Sequence, residues 1–113
     1  MTTKVIFHID EANKWEMVIA NLTNLCKSID TQDAAIELLA NSNAVLGYKK
    51  ESSAFKNELM NLSRQGVQFC ACNNSLTGLN ISSDELFEFI SIVPVGVKEL
   101  IDRQAEGFAY IRP

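Results

Sequence analysis

Short apolar runs alternate with amphipathic helical patterns along the whole 113-residue chain, and that alternation restricts the fold more than any other feature. Residues 4–9 (KVIFHI), 33–40 (DAAIELLA), 67–72 (VQFCAC), 89–93 (FISIV) and 108–111 (FAYI) have the length and apolar character of buried strands. Nearly continuous apolar runs are what a parallel sheet covered on both faces requires. The segment 33–40 also suits a helix, but it is short and lies between two helical patterns, which favours a strand.

The helical patterns carry their own punctuation. Trp15, Val18, Ile19, Leu22, Leu25, Cys26 and Ile29 form one stripe, which belongs against the sheet. Asn13 and Glu16 resemble a capping box at its start. Asn41, Ser42 and Asn43 are each able to cap a short helix over residues 44–48. Ser53 is placed to cap the next helix, with Phe55, Leu59 and Leu62 on one face and Gly66 at its C′ position. Residues 73–81 read as a loop or a single helical turn broken at Gly78. Ser82 and Glu85 make a true S-x-x-E box. Pro94 ends the fourth apolar run, and Val97, Leu100, Ile101 and Gln104 outline a last helix that Gly107 stops.

Strand–helix alternation predicts an α/β three-layer sandwich, one domain over residues 1–113, around a five-stranded parallel sheet. The expected strand order is 2-1-3-4-5, a flavodoxin-like winding whose switch point lies between the first and third strands. That order would bring the acidic turn Asp10-Glu11 and the strand-end thiol of Cys72 into one crevice.

Composition narrows the function. A net charge of −4 argues against a nucleic-acid partner, which needs a basic surface. No apolar run approaches the ~20 residues that span a bilayer, and the N-terminus lacks a signal-peptide core, so no membrane role and a cytoplasmic location are expected. In that compartment Cys26, Cys70 and Cys72 should be thiols, with Cys26 a small buried hydrophobe on the first helix. No glycine-rich loop follows the first strand, and no arginine follows Cys72. Flavin, dinucleotide and phosphatase chemistry are therefore not expected, and no cofactor is implied. One histidine and scattered cysteines do not make an expected metal site.

Cys72 is the leading candidate, because ligands collect at the carboxyl ends of strands in open α/β sheets. A helical turn beginning at Asn73 would lower its pKa, whereas nearby carboxylates would raise it. A chemical role and an inert cysteine both remain open on these grounds. Cys70, two residues earlier, should point to the same face, and a disulfide between strand residues two apart is geometrically poor. His8 is either a satisfied core histidine or a base near the site. Asp10 and Glu11 are either acid–base groups or favourable charges at a helix start.

Four stretches, residues 7–15 (FHIDEANKW), 66–76 (GVQFCACNNSL), 90–101 (ISIVPVGVKELI) and 103–113 (RQAEGFAYIRP), resemble the DsrE/DsrF-like family of intracellular sulfur-oxidation and sulfur-relay proteins. The resemblance runs the full length. It implies a five-stranded parallel sheet, a homo-oligomer (trimer or hexamer), and a sulfane sulfur held as a persulfide on the strand-end cysteine, matched by Cys72. On that reading Cys72 is the nucleophile and His8 or Asp10 manages protons. Asn73, Asn74, Asn41 and Gly96 line the binding site, and the partners are sulfur donor and acceptor proteins. The alternative is a non-catalytic oligomeric module that binds a small ligand or serves assembly. On either reading an oligomer is expected, and some of Tyr48, Phe55, Phe87 and Phe89 should be covered by neighbouring subunits.

Overall fold

A computed structural model describes residues 2–113. Five strands, β1 (Thr3–Ile9), β2 (Ala34–Ala40), β3 (Gln68–Cys72), β4 (Ile90–Val93) and β5 (Ala109–Ile111), alternate with four α-helices. These are α1 (Trp15–Ser28), α2 (Lys56–Arg64), α3 (Asn73–Gly78) and α4 (Gly96–Ala105). All strand pairs are parallel, so the α/β sandwich read from the alternation is the observed architecture.

The strand order differs from the expected 2-1-3-4-5. It is β4-β3-β2-β1-β5, with β2 between β1 and β3. Residues 36–40 of β2 are all buried, as an interior strand needs. The chain steps in one direction from β1 to β4 and reverses once, when the last crossover returns to pair β5 with β1. Right-handed crossovers running one way place their helices on one face, and the reversed crossover places its helix on the other. The switch point accordingly lies between β1 and β5, and the acidic turn after β1 does not adjoin Cys72.

The two faces are unequal. On the first, Trp15, Val18 and Leu22 of α1 and Leu59 and Leu62 of α2 pack with Leu38, Phe69 and Tyr48 in the main core. Trp15 Nε1 donates to the carbonyl of Ala44 at 2.9 Å, so its indole is buried with its one polar atom satisfied. Trp15–Tyr48 and Tyr48–Phe69 meet edge to face. On the second face, Ile6, Leu39, Cys70 and Leu100 form a small core bordered by Val93 and Phe108, and α4 is the helix that covers it.

Local signals succeeded unevenly. Gly66 takes φ +105° after α2, and the Val67 N–H reaches back to the Leu62 carbonyl, as a glycine stop should. The Ser82–Glu85 box forms on a short 3-10 turn, Ser83–Glu85. The Asn13–Glu16 box does not form, because a 3-10 turn, Ala12–Lys14, precedes α1 and no side chain caps either element. Ser53 accepts from the Phe55 N–H ahead of α2 instead of capping it. The aromatic residues expected to need a partner subunit are satisfied within the chain. Tyr48 and Phe87 are buried, while Phe55 and Phe89 pack on the main core. Exposed apolar side chains include Ile92, Val95, Val97 and Ile101 on β4, α4 and the turn between them, with others at Met17, Leu46, Leu79, Tyr110 and Ile111.

Gly47 sits in the 3-10 segment Ser42–Tyr48, directly against the Trp15 indole, where a Cβ would collide with the ring. Gly47→Ala should therefore destabilise the fold by about 1–3 kcal/mol, the usual cost of overpacking. Urea unfolding followed by Trp15 fluorescence measures this, and an unchanged midpoint would contradict the packing described.

Candidate functional site

Cys72 ends β3, and α3 begins at the next residue. Cys70 and Cys72 share a strand face by the period-two rule, and that face is the one under α4. The Gly96 N–H, at the first residue of α4, donates to Cys72 Sγ at 3.4 Å. A Cβ on Gly96 would stand 3.1 Å from Cys72 Cβ and 3.3 Å from its Sγ, so the absent side chain is what lets the helix terminus approach the sulfur. Burial pushes the thiol pKa up. That effect is outweighed by hydrogen bonds from the backbone of Ser75, Gly96 and Asn74 and from the Ser75 hydroxyl, and the thiol ends below its ordinary value. The thiol is held between two helix starts, with 6 % of Cys72 exposed. It is a sheltered, partly activated nucleophile.

The other expected site residues fall in two places. Asn74 and Gly96 meet Cys72 through their backbone N–H groups. Asn73, the first residue of α3, has an exposed side chain. His8 is half-buried, with Nδ1 2.6 Å from the Tyr110 hydroxyl and Nε2 3.0 Å from Asn41 Oδ1. Since that contact to Asn41 Oδ1 requires a proton on Nε2, the neutral ring accepts the tyrosine O–H at Nδ1. Asn41 thus orients the histidine instead of capping the helical segment that follows it. Asp10 pairs with Arg112 at 2.9 Å. His8 is level with Leu39, and Leu39 with Cys70, so His8 stands two strands from β3, roughly 10 Å away at strand spacings of about 4.8 Å. The histidine group and the thiol therefore occupy neighbouring but separate parts of the carboxyl-end surface.

A second polar constellation lies deeper under α4. Glu37 on β2 is 3 % exposed. Its Oε1 lies 3.4 Å from Arg103 Nε, and its Oε2 is buried without a hydrogen-bond partner among the described residues. Arg103 also pairs with Glu99 at 3.0 Å and Glu106 at 2.7 Å. Burial, then Glu99, push the Glu37 carboxyl up to about 7, with Cys70 and Arg103 pulling the other way. Burial, then the Glu37 charge, push the Cys70 thiol far above its ordinary range. Burial likewise raises Cys26. All three cysteines are free.

Ser75, Glu37, Glu99 and Arg103 were not singled out by sequence reasoning. Ser75 closes the three-residue polar run after Cys72, and Glu37 is the one charge inside the apolar run of β2. Both signals were present. Their meaning depends on α4, whose place over the sheet follows from the strand order.

A family model described as the DsrE/DsrF-like family matches residues 4–113. Among solved structures, a protein of unknown function, MTH1491 from Methanobacterium thermoautotrophicum, is 35% identical, with 98% of this chain and 99% of that one covered and a TM-score of 0.90. The ychN protein from E. coli is 18% identical over 98% and 99% of the two chains, with a TM-score of 0.73, a likeness of fold. No curated protein matches. Among the described residues no helix is long and apolar enough to cross a membrane.

The electrostatics make two checkable differences. Iodoacetamide near neutral pH should modify Cys72 ahead of Cys70 and Cys26, with a rate that rises with pH at a midpoint below that of an ordinary thiol. Gly96→Ala should slow that modification severalfold while changing stability by no more than about 1 kcal/mol, the scale of the Gly–Ala helix difference. Peptide mapping of the label decides the first point. For Glu37, the folded chain keeps the proton up to about pH 7, whereas the ordinary value is 4.5. The folded state binds the extra proton in that window, so Glu37 lowers stability as pH rises from 4.5 to 7 and adds no further change above it. At roughly 1.4 kcal/mol per unit, Glu37→Gln should gain on the order of 3 kcal/mol relative to wild type between pH 4.5 and pH 8. Urea titrations at both pH values, with a chelator present, test this; equal differences at the two would refute it.

Proposed function

Because the chain belongs to the DsrE/DsrF-like family, we propose that it is a sulfur carrier that holds a sulfane sulfur as a persulfide on Cys72. The observation that carries this reading is the hydrogen bond from the Gly96 N–H at the start of α4 to Cys72 Sγ, on a thiol whose pKa is held down. A persulfide anion needs what a thiolate needs: donors aimed at sulfur and no adjacent negative charge. Cys72 has donors from Gly96, Asn74 and Ser75.

Loading is an exchange with no net oxidation. The Cys72 thiolate attacks the outer sulfur of a donor persulfide R–S–SH. The donor S–S bond breaks, a new S–S bond forms on Cys72, and the donor leaves as the thiol R–SH, keeping the proton. Unloading reverses the roles: an acceptor thiolate takes the outer sulfur, and Cys72 returns as thiolate. His8 and Asp10 stand too far from Cys72 to take its proton directly. In this reading His8, Asn41 and Tyr110 line the surface a partner meets, and the side chains of Asn73 and Asn74 line the approach to the sulfur.

The same reading includes assembly as a trimer or hexamer and work in the cytoplasm with donor and acceptor proteins. Val95, Val97 and Ile101 are exposed on α4 and the turn before it, on either side of Gly96 in sequence, and apolar side chains so placed are normally covered by a second subunit.

Intact-mass analysis after exposure to a low-molecular-weight persulfide tests the reading. The expected result is a gain of one sulfur atom per chain, removed by reductant and absent from Cys72→Ser. Native spectra of the same sample report the subunit number. A Cys72→Ser protein that gains sulfur equally, or a wild type that gains none, leaves the non-catalytic binding or assembly module as the better account.

A further inference from the structure

Independently of sulfur transfer, we propose that Glu37, Cys70 and Glu99 form a site for one divalent transition-metal ion, with zinc the best match to the ligand set. The cluster joins three elements: Glu37 from the centre of β2, Cys70 from β3 and Glu99 from α4. One ligand atom from each residue lies within 4.8 Å of the others. Atoms bound tetrahedrally to one zinc at about 2.0–2.3 Å sit roughly 3.3–3.8 Å from each other, so the cluster would close by about 1 Å to hold one.

A group of carboxylates is not by itself a site. The second observation is Glu37 Oε2, buried and without a hydrogen-bond partner among the described residues, on a side chain only 3 % exposed. An orphaned carboxylate oxygen at that depth costs free energy that a bound cation would recover. The third is access. A cavity of about 190 Å³, lined by Glu37 and Arg103 with Gly66, Gln68 and Phe108, opens onto Glu37, the ligand contributed by β2.

Arg103 does not close the site. It stands 3.4 Å from Glu37 Oε1 but also holds Glu106 at 2.7 Å, and about a third of its side chain is exposed. It can remain as a hydrogen-bond partner of a ligating carboxylate, the usual outer support of a metal ligand. Thiolate among the ligands selects zinc or another thiophilic ion over magnesium or calcium. Three protein ligands leave the fourth tetrahedral position open.

The test uses the reduced full-length protein, titrated with Zn²⁺ alone and with Cd²⁺ alone as an optical reporter. The expected result is one ion per chain and an ultraviolet thiolate-to-cadmium charge-transfer band. The band should persist in Cys72→Ser and vanish in Cys70→Ser. Glu99→Gln should weaken zinc binding at least ~10-fold with an unchanged circular dichroism spectrum, and it serves where Cys70→Ser does not fold. The absence of a band in wild type, a band that follows Cys72 instead of Cys70, or unaltered zinc affinity in Glu99→Gln would each overturn the proposal. Because sulfur loading is read on Cys72 and metal binding on Cys70, either can fail without the other.

Discussion

The second face of the sheet is covered by one helix, and both candidate sites depend on where that helix lies. β5 pairs with β1 at the far edge from β4, four strand spacings away, or roughly 19 Å. The ten residues of α4 supply about 15 Å of helix for that return. α4 leaves the carboxyl end of β4, runs back against the strand direction and packs on β1, β2 and β5. Its residues are thereby assigned to positions over the sheet in order. Gly96 falls on Cys72, Leu100 on Ile6, Leu39 and Cys70, and Arg103 on Glu37.

From that single placement two cysteines, two residues apart on one strand, acquire opposite chemistry. Cys72 meets the positive end of the helix and short backbone donors, which favour its anion. Cys70 meets apolar side chains and the carboxylates of Glu37 and Glu99, which disfavour it. Desolvation acts on both and does not separate them. The separation comes from what replaces water: N–H groups at one sulfur and carboxylates at the other. The surroundings therefore favour the anion at Cys72 and disfavour it at Cys70.

Strands, helices and their parallel arrangement were legible because burial on two faces leaves uninterrupted apolar runs and helices leave a 3.6-residue stripe. Asp33–Ala40 was placed correctly as a strand, within one residue of the β2 observed, by its length and its place between two helical patterns. The strand order was not legible. The expected and observed orders use the same elements and the same crossover hand. They differ only in which crossover reverses direction, and the helix that makes the reversal carries no distinguishing pattern. That one difference moved the switch point from β1–β3 to β1–β5. Asp10 went with it, to Arg112 and the C-terminal strand, while Cys72 stayed at a strand end. The position of the strand-end thiol was legible because it depends on local sequence and the next helix start. The placing of Asp10 beside it was not, because it depended on strand adjacency.

Glycine at the first residue of α4 follows from the same geometry. Alanine would favour the helix by about 1 kcal/mol at an interior position, and Gly96 does not need a left-handed φ. Neither conformational freedom nor helix propensity explains it. Space does: the gap between the helix terminus and Cys72 is smaller than a methyl group can enter without moving the sulfur. A terminus held back by a side chain would still cover the apolar surface beneath it, but its first N–H would no longer reach Sγ. The sheet face would remain packed and the thiol would lose the donor that distinguishes it from an ordinary buried cysteine.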